Sequence, residues 1–314
     1  MNIYHSYTAF FDTNKTAIVT IGTFDGVHIG HQEIIKNLVK TANKSQGESV
    51  ILTFFPHPRM VLQKDSEIKL LNTIDEKIEL LEKTGLNNLV IIPFTKEFSR
   101  LTALDFTRDI LVSSLRTKKL VIGYDHHFGR NREGNFEQLQ EYGKTYQFDV
   151  EEIPAQDIKD ITVSSTKIRK ALEAGAIEKA NAYLGYNYML TGIVIKGKAL
   201  GRQYNYPTVN IRIEEAYKLI PKSGVYVVET TIDNTPFFGI MNIGNRPTVD
   251  GKAKTVEVHL LDFDRNLYGS KIRVGLLKRL RDEEKFDTVA LLFAQIKKDE
   301  AIARQLIKSG ELSN

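Results

Sequence analysis

The sequence predicts two domains of different class: an open α/β domain with a parallel sheet over residues 1–185, then a small antiparallel β-barrel with a terminal helix over residues 186–314. Two observations carry this. Strand-like and helix-like stretches alternate up to about residue 185, which is the order of a doubly covered sheet. Beyond residue 186, short β-rich runs follow one another across turn signals, and a single helical stretch closes the chain. A chain of 314 residues is long enough for both.

In the first half, Ala17–Ile21, Ser49–Phe55, Asn88–Pro93, Lys119–Gly123 and Phe148–Ile153 are near-continuous apolar runs. Such runs suit parallel strands buried on both faces. Between them, Gln32–Asn43, Ile74–Lys83, Ala103–Leu115 and Asn135–Tyr146 show helical spacing. This order requires right-handed crossovers and puts ligands beyond the carboxyl ends of the strands. Residues 22–31, 54–58 and 123–134 fall at those ends. Two short helices follow, one from near Ser165 to Gly175 and one over Ile177–Leu184. In the second half the strands are Tyr188–Ile195, Val209–Ile213, Val225–Ile232, Phe237–Ile243, Thr255–Phe263 and Lys271–Arg279, with turns read at Lys196-Gly197, Asp233-Asn234 and Asn245-Arg246-Pro247. The last helix, about Asp287–Lys308, has Val289, Leu292, Phe293, Ile296, Ile302 and Leu306 as its apolar side.

Composition narrows the function. There is no cysteine, which excludes disulfides, thiolate metal sites and a cysteine nucleophile, and a cytoplasmic protein is expected. No secretion leader and no apolar run of membrane-spanning length is read. The net charge is +4, with Lys and Arg spread along the chain, which a polyphosphate substrate explains as well as nucleic acid does.

Residues 22–31, Gly-Thr-Phe-Asp-Gly-Val-His-Ile-Gly-His, lie between a strand and a helix. Glycines let backbone approach a ligand, and a helix N-terminus favours phosphate. His28 and His31, three apart, share the first helical turn. The decamer resembles the H-x-G-H signature of nucleotidyltransferases, which stabilise charge on an α-phosphate without a protein nucleophile. The alternative is a capped helix start with two surface histidines.

Three further stretches of this half accompany it. Phe54-Phe55-Pro56-His57-Pro58 ends a strand, and Phe54 and His57 suit an aromatic ligand; a plain strand stop is the other reading. In Gly123–Gly134, Asp125 suits a sugar hydroxyl or base amine, and Arg130 and Arg132 suit phosphate. The adjacent His126 and His127 lack a third ligand at zinc spacing. In Val163–Arg169, Ser164 or Ser165 caps a helix, and with Lys167 and Arg169 would meet a triphosphate.

In the second half, residues 197–210 form a glycine-hinged basic loop running into Pro-Thr-x-Asn, without the Walker A spacing. Thr208 and Asn210 point the same way in an extended segment and suit a phosphate-bound Mg²⁺; a polar turn is the alternative. Thr255–Phe263 alternates, placing Glu257 opposite Val256 and Val258, where it is either a general base or part of an exposed face.

Taken together, these motifs resemble the bacterial bifunctional riboflavin kinase/FMN adenylyltransferases (FAD synthetases). Further matches are Gly201-Arg202, Gly224-Val225-Tyr226, Gly244–Thr248, Tyr268-Gly269, Leu280-Arg281 and Lys285-Phe286, in the family's order. The resemblance implies a Rossmann-like nucleotidyltransferase domain and a riboflavin-kinase-type barrel. It implies that the barrel phosphorylates riboflavin with ATP, Thr208 and Asn210 holding Mg²⁺, Glu257 acting as base and the Lys196–Arg202 loop covering the ATP phosphates. The first domain would join AMP from ATP to FMN, giving FAD and pyrophosphate, with His28, His31, Ser165 and Arg169 stabilising the transferred group. The nucleotide- and flavin-binding residues expected are Gly22, Thr23, Phe24, Asp25, Gly26, Phe54, Pro56, His57, Pro58, Asp125, Arg132, Ser164, Thr166, Lys198, Gly201, Arg202, Pro207 and Arg281.

Two departures stand out: Asn205-Tyr206-Pro207-Thr208-Val209-Asn210 replaces the usual Gly-Phe-Pro-Thr-Ala-Asn, and Tyr124-Asp125-His126-His127 varies from the commonest Asp-Asp-Phe form. Partners are expected to be small molecules, with neither nucleic acid nor membrane, and the protein a monomer or weak homo-oligomer. One rival is a single-activity FMN adenylyltransferase whose barrel only binds flavin. The other is a nucleic-acid-binding protein, against which stands the lack of a basic cluster around Tyr204, Tyr206 and Tyr226.

Overall fold

Every residue of the strand Ala17–Ile21 is buried, and its side chains divide between two cores. Val19 and Ile21 join Val50, Leu52, Leu120 and Ile122 on one face of a sheet; Ile18 joins Ile51, Leu89, Ile91 and Val121 on the other. This is the period-2 alternation of a strand covered by helices on both sides. The computed structural model describes residues 1–10, 16–63, 68–123, 128–153, 163–196, 206–248 and 251–312. They divide into two compact units, Met1–Ser164 and Ser165–Asn314.

In the first unit the strands are β1 (Asn2–Tyr4), β2 (Ala17–Ile21), β3 (Glu48–Phe55), β4 (Asn88–Pro93), β5 (Thr117–Gly123) and β6 (Asp149–Ile153). Among the described residues they form one sheet in the order β1-β4-β3-β2-β5-β6, parallel throughout. The helices are α1 (Ile29–Lys44), α2 (Pro58–Leu62), α3 (Ile74–Glu82), α4 (Ala103–Asp105), which continues as a π-helical stretch over Phe106–Ser114, and α5 (Phe136–Tyr146). The five strands and four longer helices expected from the sequence are all present. The short edge strand β1 was not expected, since three residues carry too little pattern to read. Helix α1 begins three residues earlier than its apolar spacing indicates, because His28 caps it.

The second unit opens with α6 (Ser165–Ala174) and α7 (Ile177–Leu184). Buried Asn181 ties α7 to the strands that follow: its amide donates to the Leu276 carbonyl at 2.8 Å and its oxygen accepts from the Tyr188 N–H at 2.8 Å. The expected domain boundary after residue 185 falls at the far end of this helix pair. Strands β7 (Met189–Ile195), β8 (Val209–Arg212), β9 (Gly224–Ile232), β10 (Thr235–Thr248), β11 (Gly251–Leu260) and β12 (Lys271–Arg281) close a barrel in the order β10-β11-β8-β7-β12-β9, every pair antiparallel. Fully buried Tyr188 and Tyr226 brace it, donating their hydroxyls to the Leu219 and Lys222 carbonyls. Asn245-Arg246-Pro247, read as a turn, instead extends β10 to Thr248, paired with β11 as far as Gly251. A proline is tolerated near the end of such a strand. Helix α8 (Val289–Ser309) lies on the barrel, with Ala303 packed among Val225, Val227, Ile240 and Leu277.

Candidate active sites

The loop from β2 to α1 is bent against its own residue preferences. Phe24 and Val27 have φ of +46° and +37°, and Gly26 has φ +91°. A β-branched residue at positive φ is strained, and such strain persists only where surrounding structure enforces it. Here the Val27 N–H donates to the Phe24 carbonyl at 3.2 Å, and the Gln32 side chain donates to the Val27 carbonyl at 2.8 Å. Phe24 and Val27 are buried.

This turn delivers His28 to the N-cap of α1, where its Nδ1 accepts from the His31 N–H at 3.3 Å. An accepting Nδ1 carries no proton, so in the neutral ring the proton sits on Nε2 and is available for donation. The two imidazoles stack at 3.6 Å with 16° between planes, and Phe24 lies 5.0 Å from His31 on a tilted plane. Of the alternative, a capped helix start with two surface histidines, the cap is present, while His28 is only 6% exposed and is no surface residue. Burial pushes the His28 pKa down to about 4. Burial, then the nearby His28 and Lys77, push His31 well below its ordinary value. Both rings are therefore neutral donors at pH 7. With the helix dipole and the opening N–H groups of α1, such an arrangement suits phosphate charge without the rings themselves being cations.

Next to this turn, β3 ends at Phe54 and Phe55. Phe54 is the head of a chain of rings: it lies 5.6 Å from Phe94 and 5.7 Å from Phe98, Phe98 lies 6.3 Å from Phe106, and Phe106 lies 5.8 Å from Phe128. The chain links the 54–58 loop to the start of the 128–134 segment. It is an aromatic seam of the core, with Phe106 and Phe128 buried, that reading separate motifs did not find.

In the barrel, Asn210 of β8 pairs directly with Glu257 of β11, Glu257 with Asn242 of β10, Asn242 with Val225 of β9, and Val225 with Arg281 of β12. On the other side Asn210 pairs with Ile195 of β7. Directly opposed residues in antiparallel strands share a face, so this belt crosses all six strands. Every member lines one cavity of about 720 Å³. Thr208, two residues before Asn210, lines it as well. One part of the wall is therefore oxygen-rich (Thr208, Asn210, Asn242, Glu257), and another is apolar and aromatic (Ile195, Ile211, Phe286, Phe293, Ile296). Arg281 is fixed at the rim: its Nε and Nη2 donate to the Asp299 carboxylate of α8 at 2.8–3.1 Å, and its guanidinium lies 5.8 Å from the Phe286 ring.

A family model described as FAD synthetase matches residues 11–167, and one described as riboflavin kinase matches residues 184–307. Proteins named bifunctional riboflavin kinase/FMN adenylyltransferase match almost end to end. That of Listeria monocytogenes is 36% identical over 304 residues, covering 96% of each chain, and that of Escherichia coli K12 is 37% identical over 289 residues, covering 92% of each. The chain belongs to the bifunctional riboflavin kinase/FMN adenylyltransferase family. A Bacillus subtilis member is 33% identical over 305 residues, covering 95% of each chain. A solved structure from Streptococcus pneumoniae, named a macrolide-efflux protein, shares the fold with a TM-score of 0.87 at 31% identity, covering 96% of this chain and 98% of that one. Among the described residues here, no helix is long and apolar enough to cross a membrane.

Within this family's two-domain plan, the expected site residues fall as follows. Gly22, Thr23, Phe24, Asp25 and Gly26 form the strained turn with His28 and His31 beyond it. Asp25 is buried, its carboxylate accepting from the Leu71 N–H at 3.0 and 3.3 Å. His57 caps α2, its Nδ1 accepting from the Arg59 N–H at 3.2 Å, with Pro58 as the first helical residue and Pro56 exposed. Ser164 precedes α6, and Ser165, Thr166 and Arg169 stand on its first turns above buried Ile168. Thr208, Asn210, Glu257 and Arg281 gather around the barrel cavity; Pro207 is not part of its lining, but its carbonyl lies 2.8 Å from Nδ1 of His259, which is. Asp125, Lys198, Gly201 and Arg202 lie outside the described residues, as does the side chain of Arg132. Asn242 and Asp299 line the barrel cavity without any motif having indicated them, while Tyr206, from the Asn205–Asn210 motif, lines it as well.

Proposed function

We propose that this chain makes FAD from riboflavin in two ATP-dependent steps on two sites, as a transferase of the riboflavin kinase/FMN adenylyltransferase family. The observation that carries this is the coexistence of two settings. One is a histidine-capped helix start beyond a parallel strand, under the FAD synthetase match. The other is an oxygen-lined barrel cavity under the riboflavin kinase match. The single-activity alternative expects an eroded barrel, whereas Thr208, Asn210 and Glu257 share one cavity wall.

In the kinase step, the riboflavin 5′-hydroxyl oxygen attacks the γ-phosphorus of ATP, the bond to the β-phosphate oxygen breaks, and ADP leaves. Glu257 accepts the hydroxyl proton. The isoalloxazine ring suits the apolar wall of Phe286, Phe293 and Ile296, and Arg281, already paired to Asp299, orders the rim. The donor set fits Mg²⁺: Thr208 and Asn210 offer neutral oxygens, which suffice where phosphates supply most of the ligation. Bound there, Mg²⁺ would neutralise phosphate charge. The Lys196–Arg202 loop, with Lys198, Gly201 and Arg202, is assigned to the ATP phosphates.

In the adenylyl step, a phosphate oxygen of FMN attacks the α-phosphorus of ATP and pyrophosphate departs. His28 donates from Nε2 to the α-phosphate, and the α1 N-terminus and His31 add to the same field. This is stabilisation by dipoles already in place before charge develops. The family pattern adds Ser165 and Arg169 to this step, and gives the Phe54–Pro58 and Asp125 loops to the nucleotide and flavin sites. The reading places the protein in the cytoplasm, as a monomer or weak homo-oligomer acting on small molecules. Incubating it with riboflavin, ATP and Mg²⁺ and separating the products tests both halves: FMN followed by FAD is expected. FMN without FAD overturns the first-domain assignment. FAD from added FMN but no product from riboflavin restores the single-activity reading.

A further inference from the structure

Lys77 is a buried ammonium that the two reactions above do not use. It lies in the second turn of α3 and is 4% exposed. A cation there is costly twice over. Burial removes its hydration, and the positive end of the α3 dipole opposes it. What compensates is the phosphate-site turn. Lys77 Nζ donates to the Thr23 carbonyl at 2.7 Å, and the buried Asp25 carboxylate offsets its charge.

The segment that carries Lys77 is itself rigid. Thr73 and Glu76 form a capping box at the start of α3, at 3.0 and 3.1 Å. Just before it, the Leu71 N–H reaches Asp25. Residues 71–77 therefore grip the glycine-rich turn at two points, the carbonyl of Thr23 and the carboxylate of Asp25. These points bracket Phe24, whose φ of +46° is one of the strained angles of the turn. Phe24 in turn packs on the His31 ring.

We propose that Lys77 is a positioning residue for adenylyl transfer: it clamps the Thr23 carbonyl so that the strained turn holds the His28–His31 pair in its phosphate-binding arrangement. This rests on the reading of Gly22–His31 as the adenylyl site. Lys77 acts through the turn, so its loss disorders the stabilised transition state more than the binding of flavin.

The test compares steady-state kinetics of the full-length wild type, Lys77→Met and Lys77→Arg, with FMN plus ATP and, separately, riboflavin plus ATP. For Lys77→Met, kcat of FAD formation is expected to fall at least tenfold with KM for FMN within about twofold, and riboflavin phosphorylation to stay unchanged. Lys77→Arg, which keeps the charge and the donor, is expected to recover most of the lost kcat. Wild-type kcat in Lys77→Met overturns the proposal, as does a loss confined to KM, an equal loss of both reactions, or an arginine variant no better than methionine. Should Lys77→Met not fold, Lys77→Gln is judged by the same criteria. A wild type that makes no FAD from FMN and ATP overturns the site reading itself, and is seen before any variant is compared.

Discussion

Asn210 and Glu257 are direct partners across β8 and β11, and both side chains line the same cavity. A neutral amide oxygen and a carboxylate held side by side suit different chemistry: one a metal-bound phosphate, the other a hydroxyl proton. Glu257→Gln keeps the size and the strand pairing but cannot take the proton. It is expected to lower FMN formation from riboflavin by 10²–10⁴-fold, while FAD is still made from supplied FMN. Chromatography of the two reactions run separately checks this.

His28 has two roles that a pair of substitutions separates. As N-cap it accepts from the His31 N–H, and as a neutral ring it presents Nε2. His28→Ala loses both: FAD formation is expected to fall by 10²–10³-fold, the range for one transition-state donor, and stability by about 1 kcal/mol. His28→Asn restores a good cap but not the imidazole, so it should recover stability and leave FAD formation low. FMN formation is the internal control in both variants and should stay near wild type.

The same histidine makes stability depend on acid. Its pKa is about 4 in the folded protein against an ordinary value of 6.5. Between these values the unfolded chain binds the extra proton and the folded chain does not, so stability rises with pH across the window. The contribution is fully present above pH 6.5 and is lost as pH falls toward 4, on the order of 3 kcal/mol in all. Thermal unfolding between pH 4 and 7.5 should show a steeper drop in Tm for the wild type than for His28→Asn. Parallel curves would remove His28 as the source.

What could be read from the chain beforehand depended on how local the signal was. The Gly22–His31 turn was legible because strand, glycines, histidines and helix lie in one stretch from Ala17 to Lys44. The barrel was legible as a class, since each strand carries its own alternation and turn. The belt from Ile195 to Arg281 was not: it takes one residue from each of six strands, and register is set by closure rather than by any one stretch. Asn242 therefore passed as an ordinary strand residue. The aromatic seam of the core was missed for a similar reason, because Phe54, Phe98, Phe106 and Phe128 come from four segments. Lys77 sat in a stretch that reads as a plain amphipathic helix, where a lysine is assumed to face water.

Asp299 is a second acid that only the fold makes meaningful. It is buried on α8, and it holds Arg281 through three contacts of 2.8–3.1 Å, with Gln295 donating to it at 2.9 Å. Removing one member of such a pair strands the other, which costs about 3–5 kcal/mol, whereas replacing both by apolar residues is often near neutral. Asp299→Ala is therefore expected to be strongly destabilising, and Arg281→Met with Asp299→Leu to recover most of that loss in denaturant unfolding. Activity should separate from stability in the double variant. Arg281 lines the cavity beside Phe286, so the refolded barrel should still show a raised KM for riboflavin. A double variant with normal stability and normal KM would mean that the ion pair only fastens α8 and takes no part in ordering the flavin rim.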